Sequence, residues 1–150
     1  MRTGIISRMT WAEHARDVLS DAGVKPGAAR TAVIDVVADQ HCCLSAPAIH
    51  EEVRRRRPGV GLASVYRALQ TLTELGLVHR LDLRSGGGAR YEPAQPSGDH
   101  HHHLVCGDCG KVEAFSDDQL ENVIHNVSEA ASFRVDGHDV VLRGRCEGCA

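Results

Sequence analysis

The segment GLASVYRALQTLTELGLVHRLDL, residues 61–83, changes its period part-way along. Leu62, Val65, Leu69, Leu72 and Leu75 recur at the spacing of one helical stripe, and Gly76 stops it. LVHRLDL then alternates as a strand does. Upstream, residues 11–22 place Trp11, Ala15, Val18, Leu19 and Ala22 at helical spacing before Gly23. A second helix is expected from about Pro26 to Asp39, burying Val33, Ile34, Val36 and Val37. A third opens with Ser45 as N-cap and closes at Pro58-Gly59. Downstream, RSGGG reads as a turn and ARYEPA as a second strand. Three helices followed by a two-stranded hairpin make a winged helix-turn-helix.

The remaining chain reads as strand, strand, helix, strand. HHLVC and KVEAF flank a Cys-x-x-Cys knuckle. A helix follows with Ser116 as N-cap and acidic residues in its first turn, and FRVDGHDVVLRGRC is expected to be strand-rich. The fold class is therefore α+β: a winged helix-turn-helix over 1–94, a hinge over 95–100, and a small α/β domain over 101–150. Residues 1–10 form no expected element, and Met9 would serve as an alternative start.

A chain of 150 residues with 3% aromatic content builds its core from aliphatic side chains. It carries no apolar run long enough to cross a bilayer and no signal-peptide pattern, so it is read as soluble and cytoplasmic, without membrane partners. Residues 1–84 hold 12 basic and 9 acidic side chains, and residues 85–150 hold 5 and 11. A basic half joined to an acidic, His-rich half suggests two tasks.

Six cysteines in such a chain point to metal chemistry rather than disulfides. Cys106-x-x-Cys109 and Cys146-x-x-Cys149 are 36 residues apart. Each short loop turns two thiolates to one point, and four thiolates with no open position describe a structural Zn²⁺ site. The alternative is two apolar thiol pairs or redox motifs. Between linker and knuckle lies a run of histidines. Along a strand His101 and His103 face one way, and His100 and His102 the other. Two sites are thus served by one run, with further ligands from Glu92, Asp99, Glu113, Glu121, His125, His138, His79, His41 or the Cys42–Cys43 pair. A bare solvated loop is the other reading. No catalytic constellation stands out: a nucleobase deaminase needs Pro before its Cys-x-x-Cys, where this chain has Val105. The chain is not read as an enzyme and no small-molecule substrate is expected.

GLASVYRALQTLTELGLV, YEP, DHHHHLVCGDCGKVEAFSDDQLE and HDVVLRGRCEGC, in this order, resemble the ferric uptake regulator (Fur) family over most of residues 12–149. The resemblance implies a homodimeric repressor that binds AT-rich inverted repeats in double-stranded DNA when loaded with a divalent metal. It implies structural zinc on Cys106, Cys109, Cys146 and Cys149. It also implies a regulatory site on His101, His103, Glu92 and a ligand after the second helix, where Cys43 aligns and His41 lies nearby. Cysteine there favours Zn²⁺, and histidine restores a set suited to Fe²⁺. A third site matches His100, His102, Glu121 and His138. High-GC zinc sensors carry Asp after GLV and a Cys after the wing tyrosine; this chain has His79 and no such cysteine. The nickel-type His pair is absent, and peroxide sensors have Asp where Glu92 stands. Fe²⁺ is the expected signal, with Zn²⁺ the alternative and a metal storage or delivery protein a remote one.

On the helix of residues 62–75, Ser64, Tyr66 and Arg67 lie off the apolar stripe, placed to enter a major groove. Tyr66 can meet a thymine methyl, and Arg67 a guanine or phosphate. By resemblance, Lys25 and Arg30 approach the minor groove and backbone. Arg54 to Arg57 read equally as phosphate contacts or a solvated face.

Overall fold

The structure is a computed structural model and describes residues 9–83, 88–98 and 100–150. The chain is a mixture of helix and sheet in two compact units, Met1–Asp99 and His100–Ala150. The expected RSGGG turn and the expectation for residues 1–10 fall largely outside the described residues.

The first unit contains α1 (Trp11–Asp21), α2 (Ala28–Asp39), β1 (Leu44–Ser45), α3 (Ala46–Arg56), α4 (Leu62–Glu74), β2 (Val78–Leu81) and β3 (Arg90–Pro93). All four expected helices precede the hairpin. The two residues of β1 add a third strand, giving the order β1-β3-β2, antiparallel throughout. The register sets Leu44 opposite Tyr91 and His79 opposite Glu92. A two-residue strand carries too little period to be read from sequence.

Local chemistry fixes the helix ends. Thr10 and Glu13 form a reciprocal capping box on α1, and the Thr10 backbone N–H holds the Glu13 carboxyl below its usual range. Ser45 caps α3 as expected, its Oγ accepting from the Ala48 N–H at 3.3 Å. Residues 26 and 27 stay outside α2, whose N-cap is Gly27. Gly76 takes a positive φ of 68°, the C-terminal stop that glycine permits. The core joins Trp11, Ala15 and Leu19 of α1 to Val33, Ile34, Val36 and Val37 of α2, Ile49 and Val53 of α3, and Val65, Leu69 and Leu72 of α4. Trp11 Nε1 donates to the Leu77 carbonyl at 3.0 Å, so the buried indole keeps a partner.

Two core expectations fail at helix ends. Leu62 is 38% exposed because the first turn of α4 projects beyond the core, and Ala68 joins the buried stripe instead. Ala22 is the exposed C-cap of α1.

The second unit is β4 (His102–Cys106), β5 (Val112–Phe115), α5 (Asp118–Ala130) and β6 (Val141–Gly144), with strand order β5-β4-β6. β4 pairs antiparallel with β5 and parallel with β6. Asp117, not Ser116, caps α5, its carboxylate accepting from the Leu120 N–H at 2.8 Å. The strand-rich reading of 133–146 shrinks to β6, since Phe133 to Val140 form no strand. Within this chain α5 buries no residue fully. Among the described residues no helix is long and apolar enough to cross a membrane.

Candidate metal centres and nucleic-acid interface

The two knuckles converge. The ligating sulfurs of Cys106, Cys109, Cys146 and Cys149 all lie within 4.8 Å of one another. Cys109 and Cys146 Sγ are 3.7 Å apart. A tetrahedral ion with Zn–S of ~2.3 Å needs sulfurs about 3.8 Å apart, so the set fits zinc. Parallel pairing of β4 with β6 is the cause, because it sets Cys106 opposite Gly144 and brings the chain's last turn beside its first knuckle. The Cys146 N–H donates to Cys106 Sγ at 3.4 Å. Backbone N–H groups of Cys109, then Cys146, pull the Cys106 thiol down to about 6. The sulfurs of Cys146, Cys109 and Cys106 push Cys149 up to about 12. Cluster and peptide dipoles thus favour a thiolate at Cys106.

The second cluster lies wholly in the same unit. His100, His102, Glu121 and His138 offer ligand atoms within 4.8 Å of one another. His102 Nε2 and Glu121 Oε1 are 2.6 Å apart, and His138 Nε2 and Glu121 Oε2 are 3.0 Å apart. His100 Nε2 and His138 Nε2 are separated by 3.2 Å, close to the ~3.3 Å that two imidazoles span on a tetrahedral ion. His102 is 1% exposed, and its Nδ1 has no hydrogen-bond partner among the described residues. The hydrogen bond to His102, and then that to His138, lower the Glu121 carboxyl. Three imidazoles and an ionised carboxylate make a donor set for a divalent ion.

His101 and His103 alternate away from this cluster, with ring centroids 4.9 Å apart. In the first unit, Glu92 is buried at the end of β3. Cys42 offers a ligand atom within 4.8 Å of the Glu92 carboxylate, beside the Cys43 that the resemblance implies. Cys43 is buried, and its thiol is pushed up by the adjoining Cys42 sulfur and by burial. Cys42 and Cys43 Sγ are 3.8 Å apart. His41 is exposed and outside the cluster. Sequence spacing could not choose between two adjacent cysteines, because the bend at His41–Cys42 breaks the alternation a strand would impose. Of the other candidates, His125 pairs with Glu129 at 3.2 Å and Glu113 pairs with Lys111. His79 stands on β2, and Asp99 lies outside the described residues. A deaminase also needs a His-x-Glu triplet; the chain has one, His50 to Glu52, but it sits on α3 with His50 Nε2 at 3.1 Å from the Val60 carbonyl, remote in sequence from any cysteine knuckle.

On α4, Val65, Ala68, Leu69 and Leu72 turn inward while Tyr66 stays 45% exposed. Arg67 Nη2 donates to Ser64 Oγ at 3.2 Å, which aims the guanidinium along the outer face. Lys25 is exposed, and Arg30 Nη1 donates to its carbonyl. Arg30 therefore ties down the loop that carries Lys25. Arg54, Arg55 and Arg56 pair with Glu51, Glu52 and Asp39, which favours the solvated-face reading for that run.

Residues 21–143 match the model of the ferric uptake regulator family. The chain belongs to that family, whose members are metal-dependent transcription regulators. It is 36% identical over 132 residues to the ferric uptake regulation protein of Legionella pneumophila, covering 87% of this chain and 95% of that one. The fold is similar to that of the Helicobacter pylori ferric uptake regulator Fur, whose structure reveals three functional metal binding sites. That match has a TM-score of 0.81 at 28% identity and covers 93% of this chain and 91% of the other. The Vibrio cholerae regulator gives a TM-score of 0.76 at 32% identity, with 87% and 98% covered.

Proposed function

We propose that this chain is a cytoplasmic, metal-activated repressor that binds an AT-rich inverted repeat of double-stranded DNA as a homodimer. The observation that carries this reading is the outer face of α4. Its inner face is buried in the core, while Tyr66 and the Ser64-held Arg67 stand outside it. A helix so fixed can enter a major groove with its side chains already oriented. Lys25 and Arg30 supply backbone contacts. In this reading residues 1–94 bind DNA, 95–100 are the hinge and 101–150 form the dimerisation domain.

The apolar side chains that α5 and the segment after it leave in water support a homodimer. Val123 is 57% exposed, Val127 63% and Phe133 70%. A second copy of this chain is the partner that would cover them.

Zinc on the four cysteines would close the second unit, which lacks a large core, and hold it folded. The His100–His102–Glu121–His138 cluster would hold a further divalent ion. Glu92 and the cysteine pair of the first unit, and His101 and His103 of the second, are the residues that the family resemblance would give to the regulatory ion. When bound, that ion supplies coordination that only one arrangement of its ligands satisfies. The residues do the selecting: ligands drawn from both units restrict the reading helices to the spacing of two half-sites, so less ordering remains to be done on DNA.

For the regulatory ion, Fe²⁺ is supported by the imidazole and carboxylate ligands and by the ferric uptake relatives. Zn²⁺ is the second reading, supported by sulfur beside Glu92. The test of the DNA reading is an anisotropy titration of an AT-rich inverted repeat with metal-loaded protein and with Tyr66→Ala. The repeat should be preferred over unrelated duplex, and the variant should lose that preference. Equal binding to both duplexes by the wild type would overturn the reading.

A further inference from the structure

Nothing in the resemblance calls for two cysteines in succession after α2. In an extended chain, adjacent side chains point to opposite faces. Here the bend at His41–Cys42 sets both sulfurs to one side, 3.8 Å apart. That separation equals, to about a tenth of an ångström, the bite of two thiolates on one tetrahedral ion, ~3.8 Å from Zn–S of ~2.3 Å. It also matches the 3.7 Å between Cys109 and Cys146 within the four-cysteine cluster. Cys43 is buried, and Cys42 is half-buried with its sulfur beside the Glu92 carboxylate. Two sulfurs therefore converge at the point where the chain leaves α2 for β1, one of them beside the Glu92 carboxylate.

We infer that Cys42 and Cys43 act together as a two-thiolate claw, with Glu92 beside them, for a thiophilic divalent ion. Both sulfurs bind the same ion, which moves the choice left between Fe²⁺ and Zn²⁺ above towards Zn²⁺. Soft sulfur ligands favour zinc, and a His/Glu set alone does not. On binding, each thiol gives its proton to solvent and its sulfur lone pair to the ion. No oxidant or reductant is involved. The claw is a closer account of the regulatory site above and rests on that reading.

The probe is Co²⁺, whose sulfur charge-transfer absorption counts thiolate ligands. Full-length protein keeping one zinc per chain would receive one equivalent of Co²⁺ without oxygen. The wild type should show a charge-transfer band. The band should fall by half in Cys42→Ser and in Cys43→Ser, and vanish in the double variant. Cobalt-edge X-ray absorption on the wild type needs no variant and should find two sulfurs on the added ion, so a misfolded Cys43→Ser does not rescue the claim. One sulfur or none, or a band that persists in the double variant, would overturn it. The Zn²⁺-over-Fe²⁺ affinity ratio should drop in the double variant by at least about tenfold, the lower bound of losses seen when outer-sphere partners are removed. An unchanged ratio counts against the claw. The repressor reading fails separately: a two-sulfur cobalt site without metal-dependent operator binding keeps the claw and discards the repressor. Metal-dependent operator binding without a sulfur band does the reverse.

Discussion

His102 Nε2 lies 2.6 Å from Glu121 Oε1, joining β4 to α5 through one polar contact at a nearly inaccessible histidine. The contact holds the Glu121 carboxyl below its ordinary range. A depressed carboxylate stabilises the fold above its unfolded pKa, and that contribution disappears as pH falls through the lowered value. In protein carrying structural zinc alone, Glu121→Gln should lower the melting temperature at neutral pH. The difference from wild type should close in acid, as a pH series of thermal melts would report. The same variant should weaken divalent-ion binding at the three-histidine cluster by about tenfold or more, measured by equilibrium dialysis. Unchanged ion binding would remove Glu121 from the ligand set.

The four-cysteine cluster makes a prediction about protons. Backbone N–H groups hold the Cys106 thiol low, while the neighbouring sulfurs push Cys149 up. Every cysteine ligand must be a thiolate in the zinc site, so zinc binding to the chelated protein should release protons at pH 7 and weaken as pH falls. Calorimetry in buffers of different ionisation heat measures the release. Cys146→Ser should lose the zinc and unfold the second unit while the core around Leu69 persists, seen as a split melting transition.

Arg67 is oriented by Ser64 rather than by a carboxylate. Arg67→Ala should cost about 1–3 kcal/mol of operator binding, and Ser64→Ala less, because it frees the guanidinium without removing it. Both should leave the melting temperature near wild type, since Arg67 is exposed. By contrast, Leu69→Ala empties a fully buried site and should cost about 2–5 kcal/mol of stability.

On α5, Val123 and Val127 are one helical turn apart and more than half exposed. Val127→Glu should shift sedimentation from dimer towards monomer and weaken operator binding in parallel. A variant that stays dimeric would exclude this face from the interface.

Much of this was legible in the residues. Stripe spacing from Val65 to Leu72 and the stop at Gly76 found α4, and knuckle spacing found the cysteine cluster, because short-range periods determine both. The alternation of His100 to His103 separated two ligand faces before any fold was known. Three things were not legible. The strand β1 is too short to carry a period. Asp117 displaced Ser116 as the cap of α5, since adjacent capping residues compete and only backbone geometry chooses. Cys42, next to Cys43, also lies near Glu92, because a bend re-aims side chains in a way that spacing does not encode.

The central claim is that metal gates operator binding. The most direct test is anaerobic fluorescence anisotropy of a labelled inverted repeat. The protein would retain its structural zinc, and Fe²⁺ and Zn²⁺ would be buffered in separate titrations. The account predicts affinity that rises steeply with free metal, returns to baseline on chelation of the added ion, and is blunted by Glu92→Gln. Tight operator binding that ignores added metal and chelator alike would contradict it.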